Sequence, residues 1–284
     1  MTGSPLANNG EADTSADSGA DKSPEAQAMA LALRDSDRHY FAAGADNTPT
    51  LGGVLSVIPA LSSQAGACVF HSVEPTQAVT DDWLSALARA FVAAGARRVR
   101  VYLQHTNADT RACLTRAGYR CVEEIGLAGR LAAGTDNARA LTVHALTADD
   151  NRLYLNLLRA AAHTPDGHPM EHDAFAALEQ TKVCAGYMQP YVHVRDGEAI
   201  ALASLHQHNG FARIKNVLVH PQHRGKGIGV SLVTALVARA VEQGATCGCA
   251  FALADNSAAR RMYHAQGFRP VYGQEEWVKP LDHE

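Results

Sequence analysis

The 284-residue sequence has no apolar run near the roughly 18–20 residues that a membrane-spanning helix needs. That argues against a membrane partner. It also has no basic-then-apolar start. Residues 1–20 are polar and acidic, so no secretory signal is expected and a cytoplasmic location is. Cysteine is sparse: Cys68, Cys113, Cys121, Cys184, Cys247 and Cys249, with no CxxC pair. This excludes a disulfide scaffold and reads as reduced thiols. No basic surplus is present either. Residues 1–38 hold 3 basic and 7 acidic side chains, residues 39–143 hold 9 and 8, and residues 144–284 hold 13 and 14. The net charge of −4 therefore lies in the N-terminal stretch, and a nucleic-acid partner is not expected. Histidine is plentiful, yet neither His206 and His208 nor His163, His168 and His172 are completed by a tetrahedral Cys or carboxylate set. No metal is expected.

What is present is a hydrophobic fraction of 46%, ordinary for a globular chain and sufficient for a core. The length suggests two domains or one large one. Residues 1–23 carry almost no large apolar group and are expected to be disordered, since they cannot bury enough surface to offset chain entropy. Residues 24–33 suit a short helix. The expected division is an acidic tail at 1–36, a first domain at 37–136 and a second at 140–284, split at the turn-forming Gly134, Thr135, Asp136 and Asn137.

The two halves are related. With an offset of 149 residues, residues 92–120 align on 241–269 without a gap and with seven identities in 29 positions. Gly95 and Gly118 meet Gly244 and Gly267, and Asn107 meets Asn256. Chance would rarely keep both glycines and the asparagine in register, so the chain holds two copies of one αβαβ unit.

The second copy shows its elements openly. Strands are expected at 142–145, 191–195, 199–206, 211–219 and 247–253, with a strand pair or bent strand at 268–278. Helices are expected at 148–162, 171–180, 227–243 and 257–266, the last two stopped by Gly244 and Gly267. Asp196-Gly197 is a hairpin signal.

The chemistry concentrates where the strand Val217, Leu218, Val219 runs into His220, Pro221 and then Arg224, Gly225, Lys226, Gly227, Ile228 and Gly229 before a long helix. Glycines let a ligand approach the backbone. A helix start offers unpaired amides and a positive dipole end, which suits a pyrophosphate. Farther on stand Asn256, Ala259, Tyr263, Gly267 and Phe268. The R-x-x-G-x-G pattern and this second segment, in this order and at this separation, resemble the signatures of the GNAT superfamily, the Gcn5-related N-acetyltransferases, over about residues 142–280.

The resemblance implies an α/β (α+β) fold of two GNAT-like domains, each a mixed, mostly antiparallel sheet flanked by helices. It also implies acetyl-coenzyme A as co-substrate. Val217, Leu218 and Val219 would pair with pantetheine, and the Leu218 amide would polarise the thioester carbonyl. Arg224, Gly225, Lys226, Gly227, Ile228 and Gly229 would cradle the pyrophosphate, and Asn256 would bond the pantetheine arm. Tyr263 would protonate the leaving thiolate, a role suited to a phenol of pKa about 10. The acceptor amine, only about one part in 2,500 neutral at pH 7, needs a proton acceptor. His206, His208 and Glu198 are the candidates, and Glu275, Glu276 and Trp277 are candidate lining of the acceptor pocket. Attack would be direct, in a ternary complex; no cysteine has a recognisable nucleophile context, and Cys247 and Cys249 stay open as the alternative.

In the first copy Arg224, Gly227 and Gly229 become Pro75, Ala78 and Thr80, Asp81 and Asp82 follow, and Tyr263 becomes Leu114. That copy is expected to have lost coenzyme chemistry and to support the second or shape its acceptor cleft. The expected activity is N-acetylation of a small-molecule amine. Acetylation of a protein amine and a non-catalytic acyl-coenzyme A sensor or assembly subunit are the alternatives. A monomer or homodimer is expected.

Overall fold

The computed structural model describes residues 23–64, 66–72, 78–103, 106–131, 141–147, 150–161 and 172–281. The division expected at residues 134–137, position 75, and His163 and His168 lie outside them. In the first half the order is α1 (Pro24–Ala42), β1 (Asp46–Thr50), β2 (Gly53–Val57), β3 (Cys68–Ser72), α2 (Asp81–Ala93), β4 (Arg98–Tyr102), α3 (Ala108–Arg116) and β5 (Arg120–Arg130). The second half runs β6 (His144–Ala145), α4 (Asn151–Ala161), α5 (His172–Cys184), β7 (Gln189–Arg195), β8 (Glu198–His208), β9 (Phe211–Val219), α6 (Ile228–Glu242), β10 (Cys247–Leu253), α7 (Ser257–His264) and β11 (Arg269–Pro280).

The helix at the N-terminus is longer than the sequence suggests. Ser23 caps α1 by accepting from the Ala26 amide, and Pro24 fits the first turn, where its missing N–H is no loss. The helix then buries Ala26, Leu33, Ser36, Asp37, Tyr40 and Phe41. Residues 24–36 therefore belong to the folded body, not to a tail. Their few apolar side chains share one helical face, a spacing that average composition hides.

Among the described residues eleven strands form one mixed sheet in the order β1-β2-β3-β4-β11-β5-β10-β9-β8-β7-β6. Of their pairings, β3–β4 and β9–β10 are parallel, one pair in each half, and the rest are antiparallel. The two C-terminal strands have changed places. β11, from the second half, pairs with β4 of the first, while β5, from the first, pairs with β10 of the second. β5 and β11 then run antiparallel to each other, with Glu124 opposite Gln274 near the pseudo-twofold centre. Residues 268–278 thus form one strand, not a pair, with a register shift between Pro270 and Tyr272. The division near residue 136 is a division of the sequence, not of the sheet.

Two cores lie on the sheet. In the first half Phe70, Leu87, Phe91, Val99, Val101 and Leu114 gather beside Trp277. In the second, Leu127 joins Ala201, Leu232, Val233, Leu236 and Phe268. Each core thus includes an apolar side chain from the exchanged strand of the other half. The repeat also survives in backbone geometry. Gly95 and Gly244 have φ of 77° and 89°, and Gly118 and Gly267 have 83° and 84°, each just beyond a helix end.

Candidate active site

β9 and β10 pair only through Phe211–Arg213 and Cys247–Cys249. Beyond that point they part, leaving a gap in the middle of the sheet. On its other side β9 stays paired with β8, apart from a bulge between Lys215 and Leu218 where Asn216 takes φ of 53°. The Nδ2 of Asn216 donates to Glu179 at 2.6 Å, and Tyr40 Oη donates to the same buried carboxylate.

The bulge decides which amides face the gap. His220 N–H donates to the Ile200 carbonyl at 2.9 Å, and Leu218 stands opposite Leu202 two residues back. In an antiparallel pair, hydrogen-bonded and non-hydrogen-bonded positions alternate. The Leu218 amide therefore turns to β8, and those of Val217 and Val219 turn to the open side. The Leu218 amide, expected at the thioester carbonyl, thus faces β8 and not the gap. The cause is the extra residue in the bulge, which motif spacing does not reveal.

β9 leads through a short 3-10 turn, Pro221–His223, into α6. Gly225 and Gly227 have φ of 75° and 77°, and a Cβ on either would meet open space, so each is required by backbone conformation. Gly229 differs. A Cβ there would stand 3.1 Å from Met262 Sδ and 3.7 Å from Val219 Cγ2, so its smallness lets α6, α7 and β9 meet closely.

The start of α6 is bare. Thr80, Asn107 and Asn256 cap α2, α3 and α7 with side-chain oxygens, as Ser23 caps α1. Gly227 begins α6 with no side-chain cap. The first intrahelical bond is Ser231 N–H to the Gly227 carbonyl, which leaves the amides of Ile228, Gly229 and Val230 without helical acceptors. These amides open on a cleft of about 810 Å³, lined by the gap strand Val217–Val219, the turn residues Arg224, Gly225 and Gly227, and Asn256 and Met262 of the α7 region. That volume lies in the range of small-molecule sites. Leu158 and Phe175 close its far wall.

The charged side chains at the mouth are already engaged. Arg224 donates through Nε to the Val219 carbonyl at 3.1 Å and through Nη2 to the Ala161 carbonyl at 3.0 Å. It fastens the end of α4 to β9. Lys226 Nζ donates to the Gln222 carbonyl. Asn256 accepts from the Ala259 amide at 3.0 Å and lines the cleft as well.

Tyr263 is placed differently from the sequence expectation. It is 4% exposed, stacked on Phe268 and outside the cleft wall, where Met262 stands instead. Burial raises its phenol further, against the pull of Arg213. Arg213 and Cys249, the last pair before β9 and β10 part, both act on the phenol electrostatically.

None of the suggested bases lines the cleft. His206 is fully buried under α1, with Nε2 3.3 Å from His39 Nδ1; burial, with Arg213 and Lys215 nearby, pushes it down to about 3. His208 stacks on His39 and lies 3.3 Å from Asp35. Glu198 is exposed beside the β7–β8 turn. The thiol of Cys249 is sealed in the core, and burial raises it to about 12, which suits a packing residue. Trp277 belongs to the first core, Glu275 accepts from Thr106, Arg111 and Trp277, and Glu276 accepts from Arg100. Among the described residues no group of three or more His, Cys, Asp or Glu could hold a metal ion, and no helix is long and apolar enough to cross a membrane.

In the first half the helix start that corresponds to that of α6, the start of α2, is capped. Thr80 Oγ1 accepts from the Trp83 amide at the start of α2, and Asp81 and Asp82 occupy its first turn. Leu114 fills the position of Tyr263 and is wholly buried.

Residues 153–268 match the profile described as the Acetyltransferase (GNAT) family. No curated protein sequence matches the chain. Among solved structures, a functionally unknown conserved protein from Staphylococcus epidermidis aligns with a TM-score of 0.64 at 12% identity, over 84% of this chain and 95% of that one. A GCN5-related N-acetyltransferase from Kribbella flavida aligns at 0.59 and 15% identity, over 90% and 98%. A tandem GNAT protein from the clavulanic acid biosynthesis pathway aligns at 0.51 and 10%, over 82% and 80%. At these identities the structures speak for the fold, the tandem arrangement included. The profile match covers the cleft-bearing segment, so over residues 153–268 the chain is similar to the GNAT acetyltransferase family, and the solved structures share its fold.

Proposed function

We propose that the protein is an acetyl-coenzyme A-dependent N-acetyltransferase acting on a small-molecule amine. The observation that carries this reading is the bare start of α6, whose amides open on the cleft beside the parted strands. A diphosphate docks on the amides of Ile228, Gly229 and Val230 and on the turn Arg224–Gly227, at the positive end of the helix dipole. The pantetheine arm lies along β9, where Val217 and Val219 present their backbone and Asn256 bounds the other side. One of these two amides polarises the thioester carbonyl, worth about 3–4 kcal/mol of transition-state stabilisation for a single well-placed donor.

The deprotonated amine attacks the carbonyl carbon, the C–S bond breaks, and the thiolate takes up a proton. Tyr263, kept protonated by burial, is the group we assign to that proton. What supports a small acceptor over a protein is α1, which packs across β5, β8, β9 and β11 and covers that face of the sheet.

The test is coenzyme A release with acetyl-coenzyme A over a panel of alkylamines, diamines and amino acids, alongside calorimetric binding of the coenzyme. Tyr263→Phe is expected to lower turnover about 100-fold with coenzyme affinity kept; unchanged turnover removes Tyr263 from the reaction. The sealed position of Tyr263 is the one feature that favours a sensor without turnover. Tight coenzyme binding with no thiol release on any amine would establish that alternative.

A further inference from the structure

The strand exchange brings a carboxylate of the first half to the gap of the second. β10 pairs with β5 along its whole length, and the last pair is Leu253 opposite Glu124. By that point β9 has parted from β10, so Glu124 stands one strand spacing, about 5 Å, from β10, whose other edge borders the gap. The chain then turns away, with the Ala254 amide on the Glu123 carbonyl at 2.9 Å, and reaches Asn256 on the cleft wall.

Glu124 differs from the other acids beneath α1. Asp37 is paired with Arg213, and Glu276 with Arg100. Glu179 accepts from Tyr40 and Asn216. Among the described residues Glu124 has a single side-chain hydrogen bond, 3.2 Å from the neutral Gln274 amide. It is also half-buried where Asp37, Glu179 and Glu276 are buried. Its pseudo-twofold counterpart is that same Gln274, so only one of the two central positions carries a carboxylate.

We propose that Glu124 receives the ammonium of the acceptor and takes its proton before attack. The first half, which has lost its own anion site, thus supplies a catalytic residue to the second. Deprotonation moves one proton from R–NH₃⁺ to a Glu124 oxygen; the freed nitrogen lone pair forms the N–C bond as C–S breaks, and the second proton leaves the amide nitrogen and ends on the coenzyme thiolate by way of Tyr263. The surroundings suit the task. Burial raises Glu124, as do Glu276 on β11 and Asp37 on α1, while Arg100 on β4 and Arg213 on β9 lower it; the balance lies at about 7. A base poised there can accept a proton and release it to solvent each cycle.

This inference rests on the acetyltransferase reading, and the experiment separates the two. In the full-length chain, Glu124→Gln keeps shape and the Gln274 contact. It is expected to lower kcat/KM for the amine at least 100-fold, leave the dissociation constant of acetyl-coenzyme A unchanged, and abolish the acidic limb of the pH–rate profile near pH 7. Glu124→Asp is expected to retain that limb at reduced rate, which a merely structural role would not produce. Native turnover with the limb unchanged in Glu124→Gln overturns this proposal and leaves the transferase standing. A native protein that binds the coenzyme but acetylates no amine overturns both.

Discussion

Two substitutions at Gly227 separate backbone strain from charge at the start of α6. Gly227 has φ of 77°, and an added Cβ meets nothing within 4 Å. Alanine there clashes with no neighbour but must hold a left-handed conformation, at about 1–2 kcal/mol. For a chain of this size that lowers Tm by a few degrees, at roughly 2–4 °C per kcal/mol. Aspartate has similar or slightly smaller strain and adds a negative charge next to the amides of Ile228, Gly229 and Val230. Two unit charges about 5 Å apart at an effective dielectric of about 20 repel by about 3 kcal/mol. Solvent and salt at this exposed turn reduce that to about 1.5–2 kcal/mol, or roughly 10–30-fold in affinity. Calorimetric titration with coenzyme A is therefore expected to give a Kd for Gly227→Asp 10–30 times that of Gly227→Ala, with the gap narrowing as salt rises. Equal affinities of the two variants, at any salt, would show that the diphosphate does not sit at this helix start.

Other consequences follow from the packing. A Cβ at Gly248 would lie 2.5 Å from Phe268 Cζ and 2.7 Å from Leu131 Cδ2; Gly248→Ala is expected to destabilise by about 1–3 kcal/mol by overpacking, read as a shift of the denaturant midpoint. Burial opposes ionisation of Asp37, but Arg213, His71 and Lys215 together hold its carboxyl well below the usual range. The stabilisation is therefore present above the ordinary carboxylate value near 4 and lost as pH falls below it. Arg213→Met leaves that buried charge unpaired and is expected to lose about 3–5 kcal/mol at pH 7, with a loss that shrinks progressively as pH falls below about 4; a loss independent of pH would refute the ion-pair account.

Local signals carried most of the second half. β9 and β10 begin and end where alternation and apolar runs place them, because each is bounded by turns whose residues announce themselves. Asp196 and Gly197, with φ of 53° and 79°, make the left-handed turn that their identities favour. The glycine-rich turn, the bare helix start and the Asn256 cap were equally legible, since each depends on residues adjacent in sequence. What was not legible depends on partners far along the chain. The bulge at Asn216 turns Leu218 away from the gap, yet nothing in Lys215, Asn216 and Val217 announces an extra residue. Burial of His206 follows from α1 crossing β8, a contact between residues more than 160 positions apart. Glu124 attracts no notice in a segment that resembles an ordinary edge strand. It gains its position only when β5 leaves its own half.

That exchange is written into the side chains, and it governs what a dissected protein will do. The two exchanged strands are equivalents in the repeat, so β11 could in principle fill the place of β5 beside β10 and close the second half on itself. The pairing of Glu124 with Gln274 marks matching positions, one residue further apart than the repeat offset because of the irregularity between Pro270 and Tyr272. In matching register Glu275 would replace Ile125, and Trp277 would replace Leu127. Ile125 and Leu127 are 8% and 0% exposed in the second core. A carboxylate at the first place would lose Arg111 and Thr106 and enter an apolar core, and an indole at the second would overfill a closely packed site. The closed alternative is therefore disfavoured, and without β5 the buried edge of β10 lies open to other chains. Residues 140–284 expressed alone are expected to aggregate or associate, and co-expression of residues 1–131 is expected to restore a soluble one-to-one complex, as judged by size-exclusion chromatography with light scattering. A monomeric fragment 140–284 with the thermal stability of the whole chain would show that the exchange is dispensable to the second half.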